Sequence, residues 1–206
     1  YGQSLHPQPT PARTAQEQQL AELIRRRVQV REILVAQRQQ VQRLTLTALR
    51  RQAQSLVRRL ERDLQKIEQQ LQALRTQTAA LDERVQKLAA ITGVGHLTAL
   101  SVLAELPELG TLNRGQAAAL AGLALHPRES GQWHGRRSIG GGRPAVRKAL
   151  YMAALVAARS NRHLKEFYHR LREAGKPAKV ALTAVMRKLI VLMNHILKNP
   201  NFVLQN

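Results

Sequence analysis

The sequence predicts an all-α protein: a long antiparallel coiled-coil hairpin followed by a compact helical domain containing a helix-hairpin-helix-like motif. Three observations predict it. Residues 13–90 contain neither glycine nor proline, a length without a breaker well beyond an ordinary helix. Across 53–88 the apolar residues recur at steps of mostly three and four, the period of a helical seam. After residue 90, short apolar stretches at helical spacing alternate with Gly, Pro and Asn, residues that cap or end helices.

Pro7, Pro9 and Pro11 make residues 1–12 an extended linker. Residues 13–90 form a coiled-coil, oligomerising region. Its second half carries Ala53, Leu56, Leu60, Leu64, Ile67, Leu71, Leu74, Leu81, Val85 and Leu88 along one seam. Thr78 is the one polar seam position, and the 4+4 step through Leu60 and Leu64 is a local stutter. The first half has a less regular seam: Leu20, Leu23, Val30, Leu34, Val41 and Leu44. Thr45 and Thr47 are poor helix residues. They predict a turn near 44–48 and two antiparallel helices at about 14–44 and 47–78; one continuous helix is the alternative. The arginines at 25–27, 50–51 and 58–59 are either a solvated face or nucleic-acid contacts.

Residues 91–206 form the second domain. An amphipathic helix over 82–90 leads through Gly93, Val94 and Gly95 to an apolar helix over 96–106, which Pro107 ends. Thr111 or Asn113 caps a further helix reaching Gly122. Residues 126–143 are rich in Gly and Arg without apolar periodicity, and predict an irregular loop. Helices follow over 147–159, 163–173 and 178–197, with a turn at Gly175, Lys176 and Pro177.

The charge narrows the function. Thirty-three Lys and Arg against 13 Asp and Glu give a net charge of +20, which concentrates polyanions at the surface and costs self-repulsion when the chain is compact. Nucleic acid offsets that cost through counterion release. The charge is concentrated: residues 131–190 carry 14 basic and 2 acidic side chains, so most of the contact is expected over 131–188. Regular apolar positions there predict a folded segment rather than a basic tail. Aromatic residues make up 3% of the chain, which argues against aromatic platforms for stacking bases. No run of about 18 apolar residues predicts a membrane span, and the polar, proline-rich start is unlike a signal peptide. Without cysteine, disulfides and thiolate metal sites are excluded. A cytoplasmic, prokaryotic setting is expected.

Three motifs carry candidate chemistry. Gly93 and Gly95 let backbone approach a phosphate closely, and the next helix aims free N–H groups at it; a tight interhelical turn with no ligand explains them equally. The loop after Ser130 contains Arg136, Arg137, three consecutive glycines and Arg143, with Arg147 and Lys148 just beyond. Its backbone N–H groups can form an anion nest. Cations there would activate a serine and stabilise charge growing on a phosphoryl transition state. Ser130 is the candidate nucleophile and Ser138 nearly as good, although Ser130 followed by glycine is also an ordinary turn pair. Arg187 and Lys188 can line a phosphate-binding helix face, or a solvated one. Metal-assisted nucleases need several carboxylates. Residues 131–190 have only Glu166 and Glu173, and the seven histidines are dispersed, so no metal is expected on this chain alone.

These residues resemble the C-terminal domain of the insertion-sequence-110 type transposases. The resemblance runs from Ile91, Thr92, Gly93, Val94 and Gly95 to Glu105, Leu106, Pro107, Glu108, Leu109 and Gly110. It continues through Ala121, Gly122 and Leu123, Ser130 with Gly131, and the stretches 136–143 and 147–154. It closes with Phe167 and Tyr168, Gly175 to Pro177, and Met186 to Leu189. Residues 13–90 resemble the family's connecting coiled coil. The resemblance implies a recombinase that moves an insertion element, guided by a structured RNA that pairs with donor and target DNA. It makes Ser130 the nucleophile of a phosphoserine intermediate, which conserves the bond energy needed to rejoin strands. It implies dimers, possibly tetramers, of this chain. Mg²⁺ would belong to a RuvC-like N-terminal domain, which this sequence is expected to lack as a fragment or truncation. By itself the chain would then bind nucleic acid without cutting it. Two other classes stand beside this reading: a non-catalytic binding and oligomerisation module or regulatory fragment, and a general architectural DNA protein.

Overall fold

The computed structural model describes residues 12–126, 129–130, 133–134 and 138–202, with the side chains of 126–137 outside the description. Among the described residues the fold is all-α apart from two-residue β pairings.

Helix α1 (Ala15–Arg43) begins at a capping box in which the Thr14 hydroxyl accepts from the Glu17 N–H and the Glu17 carboxylate accepts from the Thr14 N–H. Leu44 and Leu46 are extended, and α2 (Thr47–Gln77) runs back antiparallel. The three-residue connection forces this course, and ion pairs Arg27–Glu68 and Arg38–Glu61, both 2.7 Å, bridge the two helices. Each helix is roughly 45 Å long at 1.5 Å per residue. The predicted hairpin and its turn are therefore present within a residue or two. Thr78, the polar seam position, is where the second helix ends: its non-helical backbone separates α2 from α3 (Ala79–Ala89). An Arg75–Asp82 ion pair bridges the break.

Burial along the hairpin is graded. At its base Leu20, Ile24, Val30, Ile67, Leu71 and Leu74 are buried. Toward the tip Leu46, Leu49 and Leu56 are exposed, Leu46 at 65%. Two helices alone cannot cover a stripe on every side. The base succeeds because a third layer, α4 (His96–Glu105), packs against α1, where Arg25 pairs with Glu105 at 3.1 Å.

The compact part is built from α3, α4, α5 (Arg114–Leu120), α6 (Pro144–Ser160), α7 (Arg162–Glu173) and α8 (Ala178–Lys198). Each matches a predicted helix with shifts at the ends. Asn113 is the cap of α5, through a capping box with Gln116. Helix α8 packs against α3, α5, α6 and α7. By length and composition α8 alone among the described helices is long and apolar enough to cross a membrane, a feature the search for apolar runs overlooks. The fold places Val185, Leu189, Ile190 and Met193 of α8 wholly inside, so here that apolarity makes a core. Asn194, the one buried polar side chain among those described, accepts from the Gly110 N–H at 2.8 Å and donates to the Leu112 carbonyl at 2.7 Å. It ties the α4–α5 connection to α8.

The expected irregular loop contains two short antiparallel ladders. β1 (Leu125–His126) pairs with β4 (Ser138–Ile139), and β2 (Glu129–Ser130) pairs with β3 (Trp133–His134). Two-residue strands leave no room for period-two patterning, so no alternation announces them.

Candidate catalytic loop and nucleic-acid interface

Ser130 lies in β2, its backbone opposite Trp133. The β1–β4 pairing closes the base of this excursion, and the β2–β3 pairing holds Ser130 beyond it. The side chain of Ser130, and Arg136 and Arg137 altogether, lie outside the described residues.

The remaining loop cations already have protein partners. Arg143 makes a bidentate pair with Glu108, both contacts 2.7 Å, and donates to the Glu105 carbonyl at 2.8 Å. The paired Glu108 carboxylate raises the Arg143 pKa against the opposing effect of partial burial. In turn the Arg143 guanidinium holds the Glu108 carboxyl below its ordinary pKa, with burial pulling the other way. Arg147 donates to the carbonyls of Gly122, at 3.3 Å, and Gly141, at 3.0 Å. Lys148 reaches Glu32 of α1 at 2.7 Å, in an exposed pair. The structure thus places Arg143 and Arg147 as braces at the root of the loop, and Lys148 as a link to the hairpin.

The glycines divide similarly. Gly142 has φ +59, and a Cβ there would run into the backbone of Gly122 and Ala119. This member of the glycine triplet permits close approach of the loop exit to the end of α5. Gly93 has φ +103, and its absent Cβ would lie 2.7–2.8 Å from Ala157 of α6. Gly95 differs: it precedes α4, has φ −82, and has open space where a Cβ would stand. Of the two predicted phosphate-approach glycines, packing accounts for Gly93 and leaves Gly95 facing outward.

Arg187 and Lys188 are exposed on α8 and line a groove of about 1400 Å³ between α5, α7 and α8. The Lys188 ammonium sits 4.2 Å from the centre of the Phe167 ring, a cation–π distance. Sequence reasoning missed that Arg114, His163, His195 and Lys198 line the same groove. They come from three helices, and no linear motif joins them. It also missed Glu108 as the partner of Arg143. Arg84 donates to the carbonyls of Pro107 and Leu109, and burial lowers its pKa; it fastens α3 to the segment carrying Glu108. Among the described residues no three His, Asp or Glu side chains gather as metal ligands would.

Comparison with known proteins places these features in context. Residues 85–169, which include Gly93, Gly95, the Ser130 loop and helix α6, match the model of the Transposase IS116/IS110/IS902 family. The chain is 31% identical over 119 residues to the pilin gene-inverting protein of Moraxella bovis and, equally, to that of Moraxella lacunata. In each case the match covers 56% of this chain and 37% of the relative, so the chain spans well under half of the curated relatives it matches.

Proposed function

We propose that this chain is the C-terminal, DNA-handling portion of an insertion-element recombinase, with Ser130 as its strand-transfer nucleophile. The observation that carries the reading is the transposase family match across 85–169, which contains Ser130 and its glycine- and arginine-rich loop. The match to gene-inverting proteins supports breakage with rejoining rather than simple hydrolysis.

In this reading the Ser130 hydroxyl attacks a backbone phosphorus. One phosphate ester forms as another breaks, the freed sugar hydroxyl takes the proton, and the phosphoserine retains the ester needed to rejoin strands. Arg136 and Arg137 are the loop cations proposed to face the phosphate. Arg143 and Arg147, already engaged with protein acceptors, act by holding the loop root. A structured guide RNA is the proposed source of target choice. Self-association is proposed for the hairpin, supported by its exposed Leu46, Leu49 and Leu56. Mg²⁺, if used, would be held by carboxylates of a RuvC-like domain outside these residues.

The engagement of Arg143, Arg147 and Lys148 within the protein also favours a second reading, a binding and oligomerising module without chemistry. One experiment separates the two. In the complete recombinase, Ser130→Ala is expected to bind nucleic acid normally and to give no covalent band with a suicide DNA substrate on a denaturing gel. Recombination at the wild-type rate by that variant would sink the nucleophile assignment.

A further inference from the structure

We infer that the groove between α5, α7 and α8 is a single-stranded nucleic-acid site separate from the Ser130 loop. The inference rests on the nucleic-acid reading above but not on Ser130.

The groove is lined by Arg114, His163, Arg187, Lys188, His195 and Lys198, and by no Asp or Glu. All six are exposed, and among the described residues none of the four Lys and Arg pairs with a carboxylate. Arg27, Arg38, Arg143 and Lys148, by contrast, each face a carboxylate. An acid-free concave wall in a folded chain calls for an anionic occupant, because its like charges repel until a polyanion enters.

The floor selects the kind of polyanion. Leu112, Leu164, Val191 and Leu192 line the groove together with the cations. The chain has two phenylalanines, and both Phe167 and Phe202 line this groove. Phe202 is 41% exposed, with its ring edge-on to His195 at 4.7 Å. A duplex keeps its base faces stacked inside and offers such a surface phosphates and base edges. An unpaired strand offers phosphates to the rim and base faces to the apolar floor. Lys188 already covers the Phe167 ring, so Phe202 is the groove's exposed aromatic surface for a base. Arg187 and Lys198 are eleven positions apart on α8, about 16 Å at 1.5 Å per residue. That accommodates roughly five stacked nucleotides at about 3.4 Å each.

The groove is also distinct in place. Asn161, at its far end, closes α6, and the loop enters α6 at Pro144, about 25 Å away along the helix. Its near end at Asn113 is one short helix, about 10 Å, from where the loop begins. A strand leaving the loop along α5 would enter the groove.

The test is fluorescence anisotropy of the full chain with a labelled oligothymidylate or oligouridylate of about ten nucleotides, titrated across salt concentrations. Arg187→Ala with Lys198→Ala is expected to weaken binding at least tenfold at about 0.1 M salt. It should also reduce the slope of log affinity against log salt by about 1.4, near 0.7 per lost phosphate contact on a single strand. Phe202→Ala should weaken binding about tenfold with an unchanged slope. Arg43→Ala with Lys66→Ala, which removes the same charge from exposed positions of the hairpin, should change affinity less than about twofold. Circular dichroism checks that each variant is folded, and the two oligomers show whether DNA or RNA is preferred. Equal losses from the groove and hairpin pairs, no effect of Phe202→Ala, or equal competition by a duplex would each overturn the groove assignment alone. Failure of the wild-type chain to bind any nucleic acid would overturn the proposed function as well.

Discussion

Arg143 shows how a residue type can be read correctly and its role only in part. A guanidinium beside a glycine-rich loop suits a phosphate, since its planar fork takes two oxygens at once. Here the fork takes the two oxygens of Glu108. The pair carries a pH consequence. The Glu108 pKa is depressed in the folded protein, so its stabilisation is full above the ordinary carboxylate value of about 4.3. It is lost as pH falls through the depressed value. Glu108→Gln is expected to cost about 1.5–3 kcal/mol at pH 7, the usual range for a hydrogen bond to a charged group. The gap from wild type should narrow as pH falls below the ordinary carboxylate value of about 4.3. Urea denaturation below that value checks it, and a gap constant down to pH 2 would refute the account.

Among elements, the α3–α4 turn places a packed glycine, Gly93, and an outward-facing one, Gly95, within three residues. Gly93→Ala is expected to destabilise by about 2 kcal/mol or more, because it combines an unfavourable positive φ with a clash against the α6 backbone at Ala157. Gly95→Ser meets open space and puts a favoured capping residue before α4, so stability should hold or rise by a few tenths of a kcal/mol. If the turn approaches a phosphate, that same variant loses nucleic-acid affinity while its melting temperature holds. Unchanged affinity of Gly95→Ser would leave the turn a purely structural joint. The two short ladders around Ser130 belong to this scale too. They are too brief to pattern a sequence, yet they set where Ser130 stands relative to the loop root.

Across the whole molecule, one hydrophobic cluster runs from Leu20, Ile24 and Val30 of the hairpin through α4 and α6 to α8. Hairpin and compact part are thus expected to unfold together. Leu71→Ala, at a position 2% exposed, should cost about 2–5 kcal/mol and lower a single transition followed by circular dichroism and by calorimetry. Separate hairpin and body transitions would contradict a shared core. The same scale decides what the net charge of +20 is for. Internal ion pairs cancel charge one for one and leave that excess untouched; four cations, Arg114, Arg187, Lys188 and Lys198, gather, unpaired among the described residues, around one groove.

The helical fold class and the approximate ends of α1, α2, α5 and α8 were legible in the sequence because they depend on neighbours within a turn or two: Asn113 as one of two candidate caps, Thr45 and Thr47 at the hairpin turn, Pro177 before α8. The likeness around Gly93, Ser130 and 136–154 was legible for the same reason, as local motifs in order. Partnerships across the chain were not. Arg143 meets Glu108 across 35 residues and Lys148 meets Glu32 across 116. Arg187 shares a groove with Arg114 and Phe202 only because α5, α7 and α8 pack around a common core. The apolar stretch of α8 could belong to a bilayer or a protein interior until the helices around it were in place. By itself the sequence determined which segments are helices, how much charge they carry and which family motifs they display, since those follow from local sterics, capping and composition. Only the tertiary structure decided which cations are committed to holding the protein together and which face outward, because that depends on what the fold brings within a few ångströms.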